Sequence, residues 1–409
     1  MYKRQGLVVG SAPVLGPAEG SDAVADGAAL RAQILRLVVG KLGTEARAVE
    51  AADAAGLLAS TGDAPGYLWL MPRIAGGRLV VGADAYAVPR TVWAKARQAE
   101  PRPMRHAQAH AAIDAEVRTF LGKVAFGETV TKFGDADPEI QAVACGDLDG
   151  DGLNDVVTVT RSRVLRLRLD RDGGKVVREQ EAKWEDLAPI APVPLRQPLA
   201  FATIVEGPTA SHARGHVDVT ITDRRGSLRL GPSFDEPLAM KGKAVPHGDR
   251  TACTWTFQLL LGNQVQGCQE GDGPPLVPEL GRQSDAMAST FLVGRDGRGT
   301  ALVALRDAGT LVVRSAEAGS ERRLLRVGAQ LAIADLDQDG AAEIATTVDT
   351  LGAKFDAVDV RTLGADGKLT KRYRVRVPTG VEALAACPSD GRGARALLVA
   401  TKGEIWELR

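Results

Sequence analysis

The sequence predicts an α+β N-terminal domain over residues 1–122, followed by an all-β propeller of six blades, or seven, over residues 123–409. Three observations predict it. Helical spacing of apolar residues is confined to the N-terminal region. Beyond Gly122 it gives way to short apolar strands divided by Gly, Asp and Asn turns. Within that longer C-terminal region a single strand-loop-hairpin plan recurs, the sign of a repeat architecture.

The N-terminal region opens with a strand over residues 6–14. Leu30, Ile34, Leu35, Leu37, Val38 and Leu42 then follow at spacings of three and four, which predicts an amphipathic helix stopped at Gly43. Residues 67–74 and 78–88 are β-rich and flank Gly76-Gly77, a pair that supplies the positive φ of a tight hairpin turn. Ile113, Val117, Phe120 and Leu121 suggest a second helix over 106–121.

In the C-terminal region, hairpins begin at Val156, Val217, Ala301 and Ala396, each an apolar strand, a polar turn and a second strand. Further apolar strands are expected at 140–145, 199–205, 290–294, 331–334 and 381–387. Such a unit leaves two open sheet edges and cannot bury both faces alone, so its copies must pack around an axis or along a line. Five units are legible, and the gap between the hairpins near Asp223 and Asp307 leaves room for another around 255–266.

Two inter-strand loops carry chemistry: Asp147-Leu-Asp149-Gly-Asp151-Gly-Leu-Asn-Asp155 and Asp335-Leu-Asp337-Gln-Asp339-Gly-Ala-Ala-Glu343. A chain curling around a hard cation can turn residues one, three and five inward, offer a carbonyl at seven and return a carboxylate at nine. Calcium suits that oxygen shell. The ligands would be Asp147, Asp149, Asp151, the Leu153 carbonyl and Asp155 at one site. At the other they would be Asp335, Asp337, Asp339, the Ala341 carbonyl and Glu343. Asp and Gly clusters also make plain turns, which is the competing reading. The EF-hand is excluded because position twelve is Thr158 or Thr346 instead of glutamate, and because strands flank the loops. The loops at 295–299 and 389–393 put arginines where further carboxylates would be needed and read as metal-free.

The pattern D-x-D-x-D-G-x-x-[DE] before an apolar strand resembles the loops of FG-GAP/VCBS repeats. That resemblance implies a calcium-binding, integrin α-like propeller with two calcium sites, the first closer to the pattern because Glu343 replaces the usual aspartate. The strand-helix-strand-hairpin order of the N-terminal region, with Gly66-Tyr-Leu-Trp-Leu before the hairpin and Val88-Pro-Arg-Thr-Val-Trp93 after it, is similar to the small α/β domain of TolB-type bacterial envelope proteins. This likeness implies a periplasmic, outer-membrane-associated or extracellular interaction module whose partner is a protein or cell-envelope component. No export signal is visible, and the likeness implies an incomplete start.

Composition narrows the partners. Lysines and arginines (51) equal aspartates and glutamates (51), so no global field draws the chain to nucleic acid. No apolar run approaches the roughly 20 residues of a membrane-spanning helix, and the chain reads as soluble. His106 and His110 would lie one helical turn apart but lack a third zinc ligand. Cys253 and Cys268 flank a possible hairpin and either bond or do not; Cys145 and Cys387 fall at similar places in the first and last units and read as buried free thiols. The alternation Arg166-Leu-Arg168-Leu-Asp170 reads as one solvated strand face. No nucleophile elbow, phosphate loop or dinucleotide fingerprint stands in a strand-to-helix context. The chain is therefore expected to be a non-catalytic scaffold; the alternative is a propeller-borne hydrolase or lyase acting on envelope glycans or phosphoesters.

Overall fold

The computed structural model describes residues 6–16, 24–43, 46–75, 78–97, 101–113, 115–122, 124, 126–127, 129–151, 153–187, 200–206, 215–221, 227–235, 237–240, 243–247, 250–254, 284–293, 299–315, 321–350, 353–364, 367–389 and 394–409. The chain divides into two compact units, Met1–Val124 with Val293–Arg298, and Ala125–Leu292 with Gly299–Arg409.

The first unit is built on a five-stranded sheet. Strand Val8–Ser11 runs parallel to Arg47–Ala48 on one side and to Gly66–Ala75 on the other; Arg78–Ala87 and Arg105–Ala112 continue the sheet antiparallel. Alternation along strand Val8–Ser11 sorts the two faces. Val9 packs with Leu30, Ile34 and Leu35 of helix Gly27–Leu42, whereas Val8 packs with Leu57 of helix Ala54–Ala59, Tyr67 and Trp69. Asp26 caps the longer helix by accepting the Ala29 amide, and Gly43, at φ 93°, ends it.

The helix expected over 106–121 is corrected. His106, Gln108 and His110 alternate with alanines in strand Arg105–Ala112, which pairs Asp84 with His106 and Val80 with His110, and only Ala115–Arg118 is helical. Backbone bonds to the neighbouring hairpin outweigh the helix propensity of its alanines. The two histidines are thus four residues apart on an extended strand, where they cannot share one ion.

The second unit is a β-propeller with five four-stranded blades among the described residues. Blade 1 comprises Ile140–Gly146, Asp155–Thr160, Arg163–Asp170 and Lys175–Lys183. Blade 2 comprises Ala200–Val205, His216–Ile221, Ser227–Leu230 and Leu238–Met240. Blade 3 comprises Ala286–Val293, Gly299–Asp307, Thr310–Ser315 and Glu321–Leu325; blade 4 comprises Val327–Ala334, Ala342–Val348, Ala357–Leu363 and Leu369–Arg376. Blade 5 joins Ala383–Ala386, Leu397–Thr401 and Glu404–Leu408 to Val130–Phe133, a strand from the start of the unit. A two-stranded sheet, Lys243–His247 with Arg250–Thr254, follows blade 2. The expected blade core around 255–266 lies outside the described residues.

Both faces of each inner strand pair are covered by neighbours, so the core is a set of seams. Val157, Val159 and Val164 of blade 1 meet Val217, Val219 and Leu228 of blade 2. Val156 and Leu167 of blade 1 meet Leu398 and Ile405 of blade 5, while other apolar seams join blade 4 to blade 5 and blade 3 to blade 4. The face of blade 2 turned to the sheet Lys243–Thr254 is different, carrying buried Asp218, Thr220, Ser227 and Arg229. Thr220 Oγ1 donates to the Ala244 carbonyl (2.9 Å) and the Ala244 amide to Ser227 Oγ (2.8 Å), so this seam is held by polar groups that satisfy one another.

The ring is also closed covalently. Cys145 and Cys387 form a disulfide with a Cα separation of 4.9 Å, which corrects the reading of these residues as free thiols. They are the neighbours that a closed ring makes of its first and last inner strands, and the bond follows from that proximity. Cys268 lies outside the described residues, so its pairing with Cys253 is not described.

Candidate metal loops

The two acidic loops join the first and second strands of blades 1 and 4, and their backbones match. Position two is a buried leucine in each, Leu148 and Leu336. Position four takes a left-handed conformation in each, Gly150 at φ 81° and Gln338 at φ 57°. The acid at position nine is the first or second residue of the next strand and clasps the loop: Asp155 Oδ2 accepts the Leu148 amide (3.0 Å) and Glu343 Oε2 accepts the Leu336 amide (2.9 Å).

In the first loop, carboxylate oxygens of Asp147, Asp149 and Asp155 lie within 4.8 Å of one another. Asp151 is not among them; its Oδ1 accepts the Leu153 amide (2.8 Å), and the Leu153 side chain is exposed. Asp147 Oδ1 accepts the Gly150 amide (2.7 Å). In the second loop the acids that meet are Asp335, Asp337 and Asp339, positions one, three and five, where the first loop brings together positions one, three and nine. Asp335 accepts the amides of Asp339 (2.9 Å) and Gly340 (3.0 Å), and Asp339 accepts that of Ala341 (2.8 Å). Glu343 stands beside this group with its second oxygen on Thr362 Oγ1 (2.9 Å). These turns of amide onto carboxylate fix the loops.

Electrostatics record the crowding. Burial pushes Glu343 up to about 8, with the charge of Asp337 adding to the effect. Asp335 rises to about 6 through burial, against the nearby charge of Arg395, and Asp155 rises to about 6 through burial despite its bonds to Arg166. All side-chain donors are oxygens, the set a hard divalent cation takes, and a cation there would hold these buried carboxylates ionised.

Sequence reading missed the role of Arg166. It is 9% exposed, not solvated, and its Nε donates to Asp155 Oδ1 (2.9 Å) while Nη2 donates to Asp149 Oδ2. Arg168, two residues on, is the exposed one, with 60% of its side chain accessible. Both strand faces of a blade lie in seams, so alternation does not mark a wet face here. The loops at 295–299 and 389–393, expected to be metal-free, fall largely outside the described residues.

The inner strands of the blades line a central channel of about 210 Å³, with Ala142, Ala144, Ala202, Ala288, Ala332 and Ala385 among its walls. Among the described residues that line it, the carboxylate is that of Asp285, whose Oδ2 accepts from Arg306 Nη1.

No protein-family profile and no curated protein matches the chain. Among solved structures it is similar to a triple-arginine mutant of AofleA from Arthrobotrys oligospora, at 12% identity over 69% of this chain and 86% of that one, with a TM-score of 0.37. It is similar to the PQQ-bound aldose sugar dehydrogenase of Streptomyces coelicolor, at 11% identity over 70% of this chain and 99% of that one, with a TM-score of 0.38. It is also similar to TolB from Acinetobacter baumannii, at 10% identity over 99% of this chain and 94% of that one, with a TM-score of 0.21.

Proposed function

We propose that this chain is a non-catalytic, calcium-binding propeller of the FG-GAP/VCBS type, which presents its blades to a protein or cell-envelope component outside the cytoplasm. The observation that carries the reading is the pair of carboxylate triads, built on matching backbones in equivalent loops of blades 1 and 4. Calcium would neutralise clustered acids and clamp the loop that holds it.

The Cys145–Cys387 bond supports a periplasmic or extracellular location, where disulfides persist. No helix among the described residues is long and apolar enough to cross a membrane. In this reading residues 1–122 form an α+β domain and residues 123–409 the propeller. The sheet Lys243–Thr254 is the inner half of a sixth blade, because its first strand touches blade 2 on one side and blade 3 on the other.

The test is a melting curve with calcium and with chelator, paired with calorimetry. At free calcium about 100-fold above Kd, one site adds roughly 2.7 kcal/mol if the unfolded chain binds none. Identical curves and no heat of binding would overturn the proposal.

A further inference from the structure

We infer that Arg166 fills the first acidic loop in place of a metal ion, so that the two loops, alike in sequence, divide their work: the second takes a divalent cation and the first is closed by the protein's own. This rests on the calcium reading of the second loop, and it reverses the order in which the sequence ranks the two.

The register of the blades makes the comparison direct. Two residues past the position-nine acid, Val157 of blade 1 faces Arg166 across the sheet, and Ala345 of blade 4 faces Val360. The same seat therefore holds a guanidinium in one blade and an isopropyl group in the other. From that seat Arg166 bridges Asp149 and Asp155, two members of the triad that would hold the ion. Its Nη1 donates to the Pro232 carbonyl of blade 2 (3.3 Å), and Glu179 lies 3.4 Å from Nη2. Only 11% of the side chain is accessible, so the head group sits in the seam between blades.

A calcium ion entering this loop must take oxygens that the arginine already holds. Two cations on one small set of carboxylates repel each other, and a guanidinium left in the seam without Asp149 and Asp155 would be a buried charge short of partners. In the second loop the corresponding seat sends no cation into the cluster, because Val360 packs into the apolar seam with blade 5. Two arginines stand near this triad: Arg372 of the outer strand, whose Nη2 lies 3.3 Å from Asp337 Oδ2 on a side chain 43% accessible and able to swing into water, and Arg395, whose amide donates to the Leu336 carbonyl and whose charge acts on Asp335.

The experiment is calorimetric titration of the chelator-treated full chain with calcium chloride, reading the number of ions bound. The wild-type protein is expected to bind one; Asp337→Asn should lose it, and Asp149→Asn should keep it with affinity within about threefold. Arg166→Met, which fills the seam without charge, should bind two. Two ions in the wild type, or loss of the single ion in Asp149→Asn, would overturn the inference while leaving the calcium reading intact. A folded Arg166→Met protein that still binds one would overturn it as well. Should that variant not fold, the wild-type count and the two aspartate variants decide alone. Absence of binding in every folded protein would remove the calcium reading and this inference together.

Discussion

Asp155 reaches back across its loop to accept the amide of Leu148 at 3.0 Å, and its other oxygen holds Arg166 at 2.9 Å. One carboxylate thus fastens the loop, anchors a buried leucine and neutralises a buried guanidinium. Asp155→Ala should destabilise the propeller by about 3–5 kcal/mol, because it strands a charge and an amide together. Asp155→Asn keeps an acceptor and should cost less. Urea denaturation of both variants checks the order.

Asp155 and Asp335 titrate near 6 and Glu343 near 8 in the ion-free protein, all above the value of about 4 they have when unfolded. A carboxyl whose folded pKa is raised favours the folded state when protonated. Ion-free stability should therefore stand highest below about pH 4 as far as these groups are concerned, and fall as pH rises through about 4–8. Saturating calcium should flatten the portion due to Asp335 and Glu343, narrowing the gap between melting points at pH 5.5 and 8. An ion-free melting point that climbs across this range would contradict the assignment.

Asp218 behaves in the opposite sense. Burial pushes it up, but hydrogen bonds from Arg229 (2.8 and 2.9 Å) and the neighbouring His216 hold it below the usual range. Its contribution is present above the unfolded value of about 4 and is lost as pH falls through the lower folded value. Asp218→Asn should cost about 3–5 kcal/mol at pH 7, since Arg229 is left buried without its charge partner. The difference from wild type should shrink toward pH 3, which guanidinium denaturation at both pH values can read.

Gln338 holds a left-handed backbone at φ 57°, where its counterpart in the first loop is Gly150. Gln338→Gly should relieve that conformation and stabilise the protein by about 0.5–1 kcal/mol, after allowing for the greater freedom of glycine in the unfolded chain. The thermal midpoint is the readout. Gln338→Val should move it the other way.

The disulfide closes a loop of 242 residues. Replacing Cys145 and Cys387 by serine together should lower stability by about 2–5 kcal/mol, and reducing agent should lower the wild type by a like amount while leaving the double variant unmoved.

Much of this architecture could be read from local pattern. The hairpins, the helix ending at Gly43 and both acidic loops are short-range features, and each lies where the residues say. What escaped reading depends on partners distant in sequence. Residues 105–112 look helical in isolation, with alanines and an i, i+4 histidine pair, yet the hairpin beside them recruits them as a strand. Arg166 looks wet because leucines flank it, but two blades enclose it. Cys145 and Cys387 meet only after the ring has formed. The triads themselves were legible as motifs, whereas Asp151 turning to the Leu153 amide and Arg166 joining the cluster needed three dimensions.

Strand Val130–Phe133 completes blade 5 by pairing with Glu404–Leu408, whose first residue lies 271 positions beyond Phe133 (404 − 133). During synthesis at about 5–20 residues per second, that early strand waits on the order of 15–55 seconds for its partner. It waits as an unpaired edge, a template for pairing with other chains. Its composition suits the delay: Lys132 puts a charge on the short edge, which discourages pairing with other chains, until Phe133 is buried and Lys132 settles over Trp406 at 3.9 Å. Blade 5 is thus the last to be completed, and the disulfide beside it can form natively only once the nascent chain has come full circle. Premature oxidation of Cys145, before Cys387 exists, would have to involve another thiol, which makes the timing of oxidation, and not the strength of the finished ring, the point at which production of this protein is most exposed to failure.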